Sequence, residues 1–203
     1  INPYDGTVCT PTGLHTSTCG LDLPGLANMW RISADIKATW GDITRIIDLD
    51  APLAPYASPG HWNDPDMLQV GNGSLTSSEN RAHFFLWAVL NAPLMAGNDL
   101  TRMTDEVRDL LIHPGVIAVN QDWGGQQGRL THKFGEAQVW SKPMSDGSVA
   151  RVLLSRGEQP ERFVLRELFE SIEVISDVWS GDSIDAGSTI EVAGHDAVLV
   201  LTR

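Results

Sequence analysis

Two short runs hold the residues whose types and spacing could do chemistry. The first is Trp30-Arg31-Ile32-Ser33-Ala34-Asp35-Ile36, and the second is Gly60-His61-Trp62-Asn63-Asp64-Pro65-Asp66-Met67-Leu68. Each carries an apolar or aromatic stretch that ends in carboxylates at a loop. In the first, an arginine stands four residues before the acid. Asp35 is the first candidate for a catalytic role, with Arg31 reaching the same edge to donate hydrogen bonds to a polar substrate. The competing reading of Asp35 is a helix N-cap, a common role for Asp after a strand. In the second run Pro65 fixes its own φ and holds Asp64 extended, so two acids sit on a rigid turn. One acid would brace the loop while the other hydrogen-bonds hydroxyl groups, a display that suits sugar chemistry. Trp30 and Trp62 flank the acids and could stack on sugar rings, although burial in a core is the commoner fate of tryptophan. His61 reads as structural, because no Ser or Cys partner accompanies it.

Other chemistries lack their residues. There is no Ser nucleophile elbow, Gly-rich phosphate loop, HExxH or CxxC motif. Calcium would want a denser set of oxygen ligands than Asp64 and Asp66 offer, so no metal is expected. The net charge of -12 and pI near 4.7 exclude nucleic acid as a partner. A polyanion would be repelled, and no Lys/Arg cluster could neutralise its phosphates. No apolar run approaches the ~20 residues that span a bilayer, so no membrane partner is expected. Cys9 and Cys19 are spaced unlike the usual zinc patterns. They read either as two ordinary thiols or as one disulfide of an exported protein. The start, Ile1-Asn2-Pro3-Tyr4-Asp5, has no initiator Met and none of the regions of a signal peptide, so the chain reads as a processed or truncated piece.

The elements that must position these residues follow from periodicity. At 203 residues and 42% hydrophobic content, the chain can hold one large domain or two small ones. Residues 1–24, rich in Gly, Pro, Ser and Thr, read as loop. A short strand within residues 29–36 ends near Asp35. Ile36, Trp40, Ile43, Ile46 and Ile47 then predict a helix over residues 35–49, broken by Pro52, Pro55 and Pro59. Thr76-Ser77-Ser78-Glu79 fits a capping box, and the helix beyond it, through Leu90, is apolar nearly all round and so should be buried. Pro93-Leu94-Met95-Ala96 is a third short apolar run, ended by Gly97-Asn98-Asp99. Thr104 caps a further helix with Asp105 and Glu106 in its first turn, and Pro114 stops it. Residues 116–119 form one more short apolar run. Three strand–loop–helix units predict an α/β domain with a parallel sheet, whose function sits at the carboxyl ends of the strands, where Asp35, Asp66 and Asp99 fall. Beyond Gly128 the period becomes two. Runs at 137–140 and 149–154 flank Ser145-Asp146-Gly147, a hairpin signal. Further strands at 162–165, 172–179, 189–192 and 197–201 recur at β-sandwich spacing. The predicted fold class is α/β plus all-β, divided at 1–24, 25–125 and 126–203.

These words also carry a resemblance. Ala27-Asn28-Met29-Trp30-Arg31-Ile32-Ser33-Ala34-Asp35-Ile36 is similar to the segment that holds the acid/base Asp in the α-galactosidases of glycoside hydrolase family 27. His61-Trp62-Asn63-Asp64-Pro65-Asp66-Met67-Leu68, followed by Gly71-Asn72, resembles that family's most characteristic run. Leu86-Trp87-Ala88, Ala92-Pro93-Leu94, Asn98-Asp99-Leu100 and Ala118-Val119-Asn120-Gln121-Asp122 continue it in order. Val139-Trp140-Ser141-Lys142-Pro143-Met144 and Asp177-Val178-Trp179-Ser180-Gly181 resemble its C-terminal β domain. The resemblance covers about residues 27–203. It implies the last part of a (β/α)8 TIM barrel followed by an antiparallel β-sandwich. It also implies export, and retaining hydrolysis of terminal α-galactosides without a cofactor. Asp35 would be the general acid/base, Arg31 would hydrogen-bond the sugar, Asp66 and Met67 would close the far side of the pocket, and Asp64 would brace the loop. Retention needs a second carboxylate ~5–5.5 Å from the first as nucleophile. The family's nucleophile lies on an earlier strand in a Lys-x-Asp-type segment, and nothing in residues 1–26 resembles it, since Asp5 and Asp22 lack that context. Roughly three strand–helix units of eight are present. The alternative is an inactive remnant, at most a weak carbohydrate-binding module.

Overall fold

The computed structural model describes residues 23–169 and 174–203. The loop-like start, with Asp5, Cys9, Cys19 and Asp22, lies outside the described residues. After a single turn, α1 (Leu23–Leu26), strands β1 (Met29–Arg31) and β2 (Trp62–Asp64) pair in parallel, with Met29 opposite Trp62 and Arg31 opposite Asp64. Parallel strands need a crossover, and α2 (Trp40–Asp50) with a 3-10 turn over Ala51–Tyr56 supplies it. The helix starts later than the spacing of Ile36 implied. Thr39 is extended and its hydroxyl accepts from the Asp42 N–H, so Thr39 is the N-cap and residues 36–38 remain loop. Ile43, Ile46 and Ile47 are fully buried, as their period demanded. The third apolar run contributes one parallel bridge, Ala96 to Leu68, instead of a full strand.

Helix α3 (Ser77–Val89) begins with the capping box read from the sequence. Thr76 Oγ1 accepts from the Glu79 N–H, and a Glu79 carboxylate oxygen accepts from the Thr76 N–H. Phe84, Phe85, Leu86 and Trp87 have essentially no exposure. At ~1.5–3 kcal/mol for each such side chain, this burial outweighs the ~0.3–1 kcal/mol that the favourable Glu79 can add at the helix dipole. Helix α4 (Asp105–Leu111) follows, capped by Thr104. Residues 116–119 are helical: α5 (Pro114–Asn120) starts with Pro114 in its first turn, where the missing N–H costs nothing.

The remainder is antiparallel. Strands β3 (Arg129–Phe134), β4 (Ala137–Pro143), β5 (Val149–Ser155), β6 (Glu161–Val164), β7 (Ile175–Asp177), β8 (Ser183–Ile184), β9 (Thr189–Val192) and β10 (Asp196–Thr202) form two sheets, with one helical turn, α6 (Leu165–Leu168), after β6. Six strands run in the order β3-β4-β5-β10-β7-β8, and β6 pairs with β9. Alternation sorts their side chains. Val139, Leu153 and Val200 face the two-stranded sheet, and Trp140, Val152 and Leu199 join the cluster around α3. Both faces of the larger sheet are therefore covered, which explains why residues 149–154 read as apolar almost without interruption. Polar contacts pin the junction: Arg156 grips Asp48 through both carboxylate oxygens at 2.6 Å, and Arg81 pairs with Asp196.

Beneath β1 and β2 runs a buried polar chain. Trp30 Nε1 donates to Asn63 Oδ1 (2.9 Å), Asn63 Nδ2 donates to Gln127 Oε1 (2.8 Å), and Gln127 Nε2 donates to Asp50 Oδ2 (2.9 Å). Asp50 Oδ1 has no partner among the described residues. Burial pushes the Asp50 carboxyl up to about 7, well above the unfolded value of ~3.9. The protonated form favours folding at low pH, and that advantage is lost as pH rises toward about 7. Asp50→Asn should therefore melt higher than the wild type at alkaline pH, with the gap closing on acidification. A gap independent of pH in paired thermal melts would contradict this.

Candidate active site

The carboxyl ends of β1 and β2 meet through one guanidinium. Arg31 ends β1, and its Nη2 donates to Asp66 Oδ2 (2.5 Å), to Asp35 Oδ1 (3.3 Å) and to the Ser33 carbonyl (3.4 Å). Two acids from different loops are thus tied to one cation by charge-assisted bonds. The backbone reinforces this arrangement, since the Ile32 N–H donates to the Asp64 carbonyl (3.0 Å) and continues the strand pairing toward the loops.

Asp66 is the more constrained acid. It is buried, and its backbone is left-handed at φ +84°. Such a conformation costs ~1–3 kcal/mol outside glycine. Four bonds offset that cost besides the Arg31 pair. The Ile36 N–H donates to Oδ2 (2.8 Å), the Met67 N–H donates to Oδ1 (2.7 Å), the Asp66 N–H donates to Asp64 Oδ1 (2.8 Å), and Trp87 Nε1 donates to the Asp66 carbonyl (2.8 Å). Asp64 is itself buried. Burial is the largest influence on its carboxyl and raises it above the usual range, against the opposing pull of the Asp66 N–H and Arg31.

Asp35 is the opposite case. Its side chain is 94% exposed, and its bond to Arg31 is long. The N-cap reading of Asp35 fails, because Thr39 holds that position. Asp99, at the end of the third run, is taken up by its own turn, accepting from the Thr101 N–H and hydroxyl. Of the two tryptophans, one resolves as packing and the other stays partly exposed. Trp30 is buried on Ile32 and Leu53, and Trp62 begins β2 at the end away from the acids. His61 closes a turn with Ser58 through its backbone. Among the described residues no three His, Cys, Asp or Glu side chains converge as a metal would require.

Met67 follows Asp66 with 39% exposure, and its seat depends on a residue that the sequence reading passed over. A Cβ on Gly97 would lie 2.6 Å from Met67 Sδ and 2.7 Å from the Leu68 carbonyl oxygen. Only glycine lets these two segments approach, and the Leu68 N–H and carbonyl bond to Met95 and Gly97 across that contact. Also passed over were Asn80, His83 and Trp87 on α3. Their signal was present in the sequence: polar-capable side chains at i, i+3 and i+7 in an otherwise apolar helix.

Comparisons with known proteins agree with this architecture. A family profile described as alpha galactosidase A matches residues 13–122, and one described as the alpha galactosidase C-terminal beta sandwich domain matches residues 134–202. The chain belongs to glycoside hydrolase family 27, the α-galactosidases. It is 40% identical to alpha-galactosidase 3 of Arabidopsis thaliana over 202 residues, covering 95% of this chain and 43% of that relative. It is 39% identical to the human alpha-N-acetylgalactosaminidase over 173 residues, covering 80% of this chain and 42% of that one. Its fold superposes on alpha-galactosidase I from Mortierella vinacea with a TM-score of 0.81 at 25% identity, over 88% of this chain and 54% of that one. This family 27 chain thus spans under half the length of the curated relatives it matches. Its partial α/β region followed by an antiparallel β-sandwich is the family's arrangement.

Gly97→Ala should destabilise the chain by ~1–3 kcal/mol in urea unfolding, the usual cost of overpacking. An unchanged midpoint would show that the Met67–Gly97 contact relaxes without strain.

Proposed function

We propose that this chain carries the acid/base side of a retaining α-galactosidase site, acting on terminal α-linked galactosyl groups. The observation that supports it is the single Arg31 guanidinium shared by Asp35 and Asp66 at the carboxyl ends of two parallel strands. In this reading Asp35 gives its proton to the glycosidic oxygen as the bond breaks. Its carboxylate then takes a proton from the attacking water. A group with that role needs access and few competing bonds, which Asp35 has. Asp66, bonded by the Arg31 guanidinium and two backbone N–H donors, is a fixed acceptor for sugar hydroxyls. Arg31 donates to the sugar beside it, Met67 covers the far side, and Asp64 holds the turn. No cofactor takes part. Export is inferred from the same kinship.

Retention also requires a carboxylate nucleophile. Asp64 and Asp66, the acids beside Arg31, are both occupied by donors, so the nucleophile would come from a segment outside the described residues. The same occupancy favours a second reading, a remnant that binds carbohydrate weakly and does not turn it over.

Hydrolysis of a chromogenic α-galactoside by the chain and by Asp35→Asn separates the readings. Loss of ~10²–10⁴-fold in the variant is expected of a general acid. Turnover that survives in Asp35→Asn would refute the assignment. Turnover by neither, with galactose still bound, is the outcome of the remnant reading.

A further inference from the structure

Three side chains of α3, Asn80, His83 and Trp87, form one buried stripe aimed at the backbone that follows β2. Asn80 Oδ1 accepts from the Gly71 N–H (2.9 Å), His83 Nε2 accepts from the Gln69 N–H (2.9 Å), and Trp87 Nε1 donates to the Asp66 carbonyl (2.8 Å). Residues at i, i+3 and i+7 lie on one helix face, so the stripe runs antiparallel to the segment and meets it at three successive points. His83 is fully buried with its ring edge-on to Trp87 at 4.1 Å. Burial holds its imidazole down to about 3, which keeps it the neutral acceptor that Gln69 needs. Helix α3 is itself immobilised by its capping box and by packing against the six-stranded sheet.

Trp87 is the rung nearest the acids. The carbonyl it holds belongs to the residue with the left-handed backbone, and the next N–H in the chain, that of Met67, is the one that closes onto Asp66 Oδ1. A bond at that carbonyl limits rotation of the Asp66–Met67 peptide, and with it the direction of both side chains. We propose that Trp87 is a positioning residue whose indole N–H locks the Asp66–Met67 peptide, so that affinity for the galactosyl ring depends on a side chain buried behind the site. The inference rests on the reading of Asp66 and Met67 as sugar-binding groups.

The test uses the full chain with two replacements, Trp87→Phe and the benzothiophene isostere of tryptophan, which removes only the N–H and keeps the shape. Galactose affinity is measured by calorimetry, Met67 amide exchange by NMR, and folding by thermal melts. The isostere should weaken galactose binding about tenfold, the worth of one good hydrogen bond. It should speed Met67 exchange by a similar factor while distant strands keep their protection, and its melting temperature should fall by only about 2–4 °C. Trp87→Phe should follow it in affinity with a larger loss of stability. Wild-type affinity and wild-type Met67 exchange in the isostere would overturn the proposal. A merely structural role predicts faster exchange across α3 and the sheet with unchanged affinity in the folded fraction, which would also overturn it. If the wild type binds no galactose, the sugar-site reading fails, and the exchange of Met67 still decides whether Trp87 locks the peptide.

Discussion

The Arg31–Asp66 ion pair is the contact on which the arrangement of the site depends. Parallel pairing sets Arg31 opposite Asp64, at the last register position of the two strands. The chain then turns through Pro65, and Asp66 swings its carboxylate back over the end of the neighbouring strand. One terminal nitrogen of the guanidinium, Nη2, holds the acid of the second loop and still reaches Asp35 in its own. The left-handed Asp66 backbone is tolerable because the surrounding bonds over-determine it.

Behind that pair, the β-sandwich acts on the site at one remove. Helix α3 lies between the strand ends and the six-stranded sheet. Its apolar sides are buried by Trp140, Val152, Leu154 and Leu199 as much as by α2 and α5. Arg81–Asp196, Arg156–Asp48 and the buried Lys142, whose ammonium is held by Asn91 and the Gln126 carbonyl, fix the two parts in register. A helix held this firmly can direct Asn80, His83 and Trp87 at the loop that carries Asp66. The sandwich thus supplies rigidity to the loop that carries Asp66.

Much of this was legible in the sequence where one strong local signal had no competitor. The capping box at Thr76, the wholly apolar Phe84-Phe85-Leu86-Trp87 run and the hairpin at Ser145-Asp146-Gly147 stand as read, whereas β1 already ends at Arg31, before Asp35, and Asp99 follows no strand. The differences have physical causes. Ile36 keeps helical spacing with Trp40, but its N–H is taken by Asp66 Oδ2 and Thr39 offers a better cap, so the helix waits. Residues 116–119 read only as a short apolar run while Pro114 is taken as a stop, and become helical once it is seen as a first-turn residue. Strand β3 escaped notice because none of its residues is buried. Leu94, Met95 and Ala96 read as a strand, yet only Ala96 pairs. Gly97 could not be placed from spacing, because its work is done against backbone distant in sequence, and the spacing that marks Trp87 does not name its partner.

The most direct measurement is a galactose titration of the isotope-labelled chain, following the amide signals of Ile36 and Met67, the two backbone donors to the Asp66 carboxylate. If the Arg31–Asp66–Asp35 edge is where the sugar sits, these two signals should move together along one saturable isotherm while those of the sandwich strands stay in place. Saturable shifts confined to the sandwich, or an edge that stays silent at saturating sugar, would contradict the account.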